Sequence, residues 1–195
     1  MKELIGLMAF AFVGSASPGP NNTLLWASAV TFGFRRTVPH VVGTVLGIAS
    51  LVASVAAGIG VLIDSIPWLP LALKIAGSAY LFYLAYLVLG NDAIGRAAVS
   101  HPLSVLQAVA FQWVNPKAWI FALAAVGTFL PRALHRFIGV ALIEGILMAV
   151  VATSSSIWAA SGAALGRILD DERARRAVSI GLAVLLVASA TLVWI

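Results

Sequence analysis

Cysteine is absent from this chain, so disulfides and thiolate-held zinc or iron–sulfur centres play no part in its construction. Charge is scarce as well: Asp, Glu, Lys and Arg make up 10% of the residues, with seven acids against twelve bases. No phosphate-cradling glycine loop, no H-E-x-x-H pair and no Ser/His/Asp arrangement occurs, so the chain offers neither an ATP site nor the nucleophile and base of a hydrolase. It is expected to be no enzyme, to carry no cofactor and no metal, and to draw any transport energy from an ion gradient. The three histidines, His40, His101 and His135, fall at the edges of apolar runs without metal-ligand spacing, where solvated or capping roles are expected.

What the chain has in abundance is apolar surface. Hydrophobic residues form 62% of it and the mean hydropathy is +1.04, against roughly 45–50% apolar residues in a soluble domain. The apolar runs cover residues 4–34, 39–63, 68–90, 103–130, 137–165 and 177–195, separated by short polar stretches. A spanning helix needs ~20 apolar residues, so the expected fold is an all-α polytopic membrane protein of about six spans. It forms a single transmembrane domain over 1–195. The net charge of +5 does not point to nucleic acid, because the basic residues sit between apolar runs, where topology signals belong. An alternative for the first run is a signal peptide, with Lys2 before an apolar stretch and Gly14-Ser15-Ala16 as a small-residue cleavage site. The second apolar stretch that follows at once, and the acidic Glu3, weigh against it.

Two runs are interrupted by prolines among polar groups: Ser17-Pro18-Gly19-Pro20-Asn21-Asn22 in the first and Asn115-Pro116-Lys117 in the fourth. In hydrocarbon an unpaired backbone group costs several kcal/mol, so such a break persists only where protein or a polar cavity satisfies the freed groups. Pro18 and Pro20 lack donors and push Ser17 and Gly19 toward extended geometry, which predicts a stop near Ser17 and a restart near Asn21. Asn21, Asn22 and Thr23 then open a half-helix whose N-terminus favours a carboxylate. Asn115 reads as an N-cap with Pro116 at the first helical position, and Lys117 adds a positive charge. Carbonyls of residues 15 to 19 remain to accept from an ammonium. The ligand implied is a small zwitterion. The alternative is that the prolines merely kink helices and the polar residues satisfy the kinks.

Laying residue 18 on residue 116, an offset of 98, places Ser17-Pro18 on Asn115-Pro116 and Gly43 with Gly47 on Ala141 with Gly145. Both small pairs are spaced by four, which lets helix backbones approach closely. Three spans per half is an odd number, so the halves, approximately 1–90 and 103–195, are expected to be inverted repeats with broken first and fourth helices. Counting Lys and Arg at loops gives Arg35, Arg36, Arg96, Arg167, Arg173, Arg175 and Arg176 on one side and Lys2, Arg132 and Arg136 on the other. That bias puts the odd loops in the cytoplasm and both termini outside.

Ser17-Pro18-Gly19-Pro20-Asn21, the Gly43 to Gly47 region and Gln112-Trp113-Val114-Asn115-Pro116-Lys117-Ala118 resemble the LysE/RhtB family of bacterial amino-acid exporters, in motif order and over the whole chain. The resemblance implies a multi-pass exporter of the bacterial inner membrane that moves amino acids or close derivatives by antiport with protons. Members are similar to exporters of lysine, arginine, threonine, homoserine and cysteine-type compounds, so the substrate is not selected. The chain departs from the family in a slightly compressed third loop. A homodimer is kept as a candidate assembly. A membrane-embedded structural or assembly subunit is the alternative reading, although it gives no reason for two costly breaks.

Ionisable residues inside spans are costly and functional by default. Glu144 is the only acid well inside an apolar run, which makes it the proton-coupling candidate; a lysine-paired or neutral structural role is the alternative. Lys74 can snorkel to the interface, Tyr80 and Tyr83 share a helix face, and Trp68 and Trp194 sit at run ends as interfacial anchors. Ser154, Ser155 and Ser156 are expected to bond back to their own helix, or else to line a polar path.

Overall fold

Proline decides where the first helix ends. Helix α1 (Lys2–Ala16) stops before Pro18, and α2 (Pro20–Phe32) begins with Pro20 in the first turn, where a missing N–H costs nothing. The computed structural model describes residues 2–58, 68–90, 101–130, 135–168 and 172–192. After α2 come α3 (Phe34–Ala56), α4 (Leu69–Gly90), α5 (Val105–Val114), α6 (Pro116–Phe129), α7 (Arg136–Ile168) and α8 (Glu172–Leu192). Asp64, Asp92, Arg96, Arg132 and Trp194 lie outside the described residues, as do the side chains of Lys74, Tyr80, Arg136 and Arg175.

The second break repeats the logic of the first. Asn115, held extended before Pro116 at φ −88° and ψ 107°, ends α5 and caps α6, its Oδ1 accepting from the Lys117 N–H at 3.1 Å. Helix α5 itself opens on a capping box between Ser104 and Gln107. Between α2 and α3 only Gly33 intervenes, at φ 79°, a left-handed conformation that glycine adopts without cost. Helix α3 therefore starts at Phe34 and not at Pro39, and Arg35 and Arg36 form its exposed first turn. Pro39 is tolerated because it, too, is near the helix start and exposed.

Two helices, α3 and residues 137–167 of α7, are each long and apolar enough to cross a bilayer on their own. Large apolar side chains also cover the outside of the other helices, Ile5 and Met8 of α1, Tyr86 of α4, Leu106 of α5, Ile120 of α6 and Val184 of α8 among them. That surface is suited to lipid.

The two continuous helices α3 and α7 pack antiparallel at the centre. Ile48, Leu51, Val52 and Val55 of α3 share a core with Ile143, Leu147 and Val151 of α7, and Val41 meets Ala159 and Ala163. Each continuous helix seats a half-helix through a pair of glycines four apart. A Cβ on Gly43 would strike the Val105 carbonyl of α5, and one on Gly47 would come 2.6 Å from the Gln112 side chain. On α7, Gly162 and Gly166 lie against the carbonyls of Trp26 and Val30 of α2. The expected pair Ala141 and Gly145 is not a packing face: Ala141 is exposed and nothing lies within 4 Å of a Cβ at Gly145. The small-residue face that α7 turns inward is nearly five turns further along the helix.

Candidate functional site

Every carbonyl that the first break frees is taken up by a named group. Ser17 Oγ donates to the Gly14 carbonyl at 3.1 Å. Asn22 Nδ2 donates to the Ser15 and Ser17 carbonyls at 2.6 and 3.0 Å, and the Trp158 indole to the Ala16 carbonyl at 3.2 Å. The Gly19 carbonyl accepts from the Thr23 N–H and hydroxyl. Lys117, from the other break, completes the set. Its Nζ donates to the Ser17 carbonyl at 2.9 Å, to Ser17 Oγ at 2.7 Å and to the Pro18 carbonyl at 3.2 Å, so one ammonium spends its three N–H groups on the opposite half of the chain. The second break is closed in the same manner: the Gln112 carbonyl accepts from the Asn115 N–H, and the Trp113 carbonyl from the Trp119 indole at 2.8 Å.

The structure thus brings Ser17, Pro18 and Lys117 into direct contact, with Pro116 and Asn115 the two residues before Lys117. The carbonyls of residues 15 to 19 are not vacant for a ligand ammonium, because in a medium without water the freed oxygens and the nearest cation satisfy one another. Gly19 is extended, as Pro20 after it predicts, at φ 175°, a conformation open to any residue; what it supplies is space, since a Cβ there would meet Lys117 Nζ at 2.9 Å.

Beside this contact lies a cavity of about 50 Å³ lined by Gly14, Ser15, Gly19, Asn21, Asn22, Thr44, Ile48, Gln112, Asn115, Lys117, Ala118, Phe121, Val151 and Ser155, well short of the ~300–1,000 Å³ of a formed small-molecule site, so its walls must part to admit an amino acid. Asn21 organises its floor. Asn21 Oδ1 accepts from Gln112 Nε2 at 2.7 Å and from Thr44 Oγ1 at 3.1 Å, tying α2 to α5 and α3, while Asn115 Nδ2 reaches Gln112 Oε1 at 3.4 Å. The first-turn N–H groups of Asn21 and Asn22 have no intrahelical partner and open toward the end of the half-helix. Among the described residues, Lys117 is the one charged group in the lining, and no acid belongs to it.

Gln112 and Thr44 were not singled out as site residues in the sequence. Thr44 had a signal, a hydroxyl between Gly43 and Gly47 on the face that packs most closely. Ser155 of the serine run lines the cavity, while buried Ser154 makes no hydrogen bond at all, against the expectation that it bonds back to its helix. Glu144 lies outside the lining. It is seven residues before Val151 on α7, on the same helix face and about 10 Å along the axis, with one carboxyl oxygen buried and without a partner. His40 overturns its expectation most completely: it is fully buried, and neither ring nitrogen has a hydrogen-bond partner. His101 and His135 are exposed, as expected. Tyr83 is 56% exposed and Trp68 65% exposed, so Tyr83 does not line the bundle interior. Among the described residues no group of three His, Cys, Asp or Glu could hold a metal ion.

A family model described as LysE type translocator matches residues 12–195. The chain is 31% identical over 189 residues to the cysteine/O-acetylserine efflux protein of Escherichia coli strain K12, covering 94% of this chain and 93% of that one. The protein of the same name from Shigella flexneri serotype 5b gives the same figures, and that of Salmonella choleraesuis is 30% identical over 82% of each chain. No solved structure matches the chain.

Proposed function

Because the chain belongs to the LysE type translocator family, we propose that it exports a small neutral amino acid, or a close derivative, from the cytoplasm across the bacterial inner membrane in exchange for protons. The observation that carries this reading is the bond from Lys117 to the Ser17 and Pro18 oxygens, which joins two interrupted helices beside a polar cavity. The substrate carboxylate sits at the N-terminus of α2 against Asn21 and Asn22. Its ammonium exchanges with that of Lys117 on the Ser17 and Pro18 carbonyls, freeing Lys117 to pair with the carboxylate. A lining without an acid leaves a second positive charge unpaired in low dielectric, which disfavours lysine and arginine. The efflux proteins named for cysteine and O-acetylserine fit the same restriction.

The proposal includes six spans in two inverted three-helix halves, with Ser17, Pro18, Gly19, Pro20, Asn21, Asn22, Asn115, Pro116 and Lys117 forming the site. Two observations support it. Each half runs short helix, short helix, long helix, long helix. Exchanging α1–α4 for α5–α8 also maps one packed pair onto another: α3 on α5 matches α7 on α1, and α2 on α7 matches α6 on α3. The export assay uses cells expressing the chain and loaded with labelled cysteine, O-acetylserine, threonine, lysine and arginine. Efflux of one or more neutral compounds above empty-vector cells, with lysine and arginine unmoved, is the expected result. Efflux of the dibasic amino acids alone rules out the neutral-substrate reading.

Glu144, with its unpartnered oxygen two turns from the cavity on the Arg136 side, is the group proposed to take up the proton there. Glu144→Gln is expected to accumulate normally in the membrane yet lose acceleration of export by a pH gradient, read in inside-out vesicles. Export by the variant that responds to the gradient as the wild type does moves the proton site elsewhere.

A further inference from the structure

Buried polar groups in proteins are almost always hydrogen-bonded, and ionisable groups inside a membrane span are rare and paired. His40 breaks both rules. Its side chain has no exposed surface, and among the described residues no group bonds to Nδ1 or Nε2. A histidine kept only for packing is replaceable by an apolar residue at lower cost, so the unpaired ring marks a group whose bonding changes during work.

Its position says what that work is. Thr37, His40 and Thr44 form one buried row along α3, all nearly without exposed surface. Thr37 bonds Ser28 of α2. Thr44 Oγ1 reaches both the His40 carbonyl and the cavity-lining Asn21. The row leads from the exposed Arg35 and Arg36 at the start of α3 to the cavity, and His40 stands one turn short of it. Because α3 and α7 are antiparallel, Glu144 lies at the level of the other end of α3, beyond the cavity. Buried His40 and half-buried Glu144 flank the site from opposite sides.

The elements packed against α3 are α2, α5, α6 and α7. Helices α2 and α5 carry no Asp, Glu, Lys, Arg or His. Helix α6 carries only Lys117, whose ammonium is committed to Ser17 and Pro18. Helix α7 carries Glu144 on the far side of the cavity, Arg136 at its start, and Arg167 in its last turn, exposed. On α3 itself the charges are Arg35 and Arg36. Among the described residues of these helices, no carboxylate stands on this side of the cavity.

We propose that His40 is the residue through which the translocation site exchanges its proton with the Arg35–Arg36 side of the membrane, a role that rests on the export reading above. A proton leaving the cavity binds a ring nitrogen, and water at the Arg35–Arg36 side takes it from the imidazolium. No other bond is made or broken. His40 positions and passes the proton and does not touch the substrate.

The test uses the full chain reconstituted in liposomes with labelled O-acetylserine as probe, comparing two modes. Exchange of labelled for unlabelled compound at equal pH needs no net proton movement, whereas net uptake against a pH difference does. His40→Gln keeps a polar group of similar size that cannot carry a proton. It is expected to retain exchange and lose the acceleration by the pH difference. Wild-type-like acceleration in the variant overturns the role of His40 alone. Failure of wild-type protein to exchange O-acetylserine or any of the other four probes overturns the export reading and this proposal with it. Should His40→Gln not exchange, His40→Asn is measured in the same way, and loss of exchange in both assigns the ring to structure and overturns the proposal.

Discussion

Lys117→Ala is expected to weaken substrate binding by about ten- to hundredfold and to bring export close to background. The Nζ donates to three oxygens of the opposite break. Hydrogen bonds to a charged group contribute about 1.5–3 kcal/mol net each, and one such interaction lost from the bound state corresponds to that range of affinity. Asn22 still covers the Ser17 carbonyl after the substitution, but the Pro18 carbonyl loses its partner, so the empty site is destabilised as well as the loaded one. Equilibrium binding of labelled O-acetylserine to purified protein reads the effect. Tighter binding by the variant would mean that Lys117 acts only as a competitor for the carbonyls, and the carboxylate pairing would be wrong.

Gly43→Leu should eliminate folded protein from the membrane, while Gly145→Leu should leave its level unchanged. At Gly43 the added carbon strikes the Val105 carbonyl and comes 2.5 Å from the Ala108 Cβ. Overpacking a close interface costs about 1–3 kcal/mol even where side chains can adjust, and here the obstacle includes backbone. Helix α5 would have to leave α3, and with it Gln112 would leave Asn21, dismantling the cavity floor. Gly145 faces open space, so the same side chain there adds only lipid-facing surface. Quantitative immunoblotting of membranes, with thermal unfolding of purified protein, separates the two. Equal levels of both variants would show that the α3–α5 contact is not needed for folding.

The contrast between those glycines shows how much was legible beforehand. Small residues four apart occur at 43 and 47, 141 and 145, and 162 and 166, and spacing alone gives no reason to prefer any pair. Rotation of α7 about its axis, set by its contacts with α1, α2 and α3, is what turns 162 and 166 toward α2 and 145 away. The histidines carry the same lesson. His40 lies as close to a basic pair as a loop-edge residue would, and the left-handed Gly33, by shortening the connection to a single residue, draws it into the helix interior.

By itself the sequence determined that the chain is helical, apolar enough for lipid, broken at Pro18 and Pro116, and a member of its translocator family. The first three follow from composition and from prolines that lack an N–H, properties that do not depend on what lies nearby, and the membership from resemblance of the motifs around those prolines. Only the tertiary structure decided that Lys117 fills the carbonyls of the opposite break, that Asn21 joins three helices, and that His40 is sealed in without a partner. Each of these depends on which groups meet across 23 to 100 residues of chain, and that is fixed by the packing of whole helices against one another.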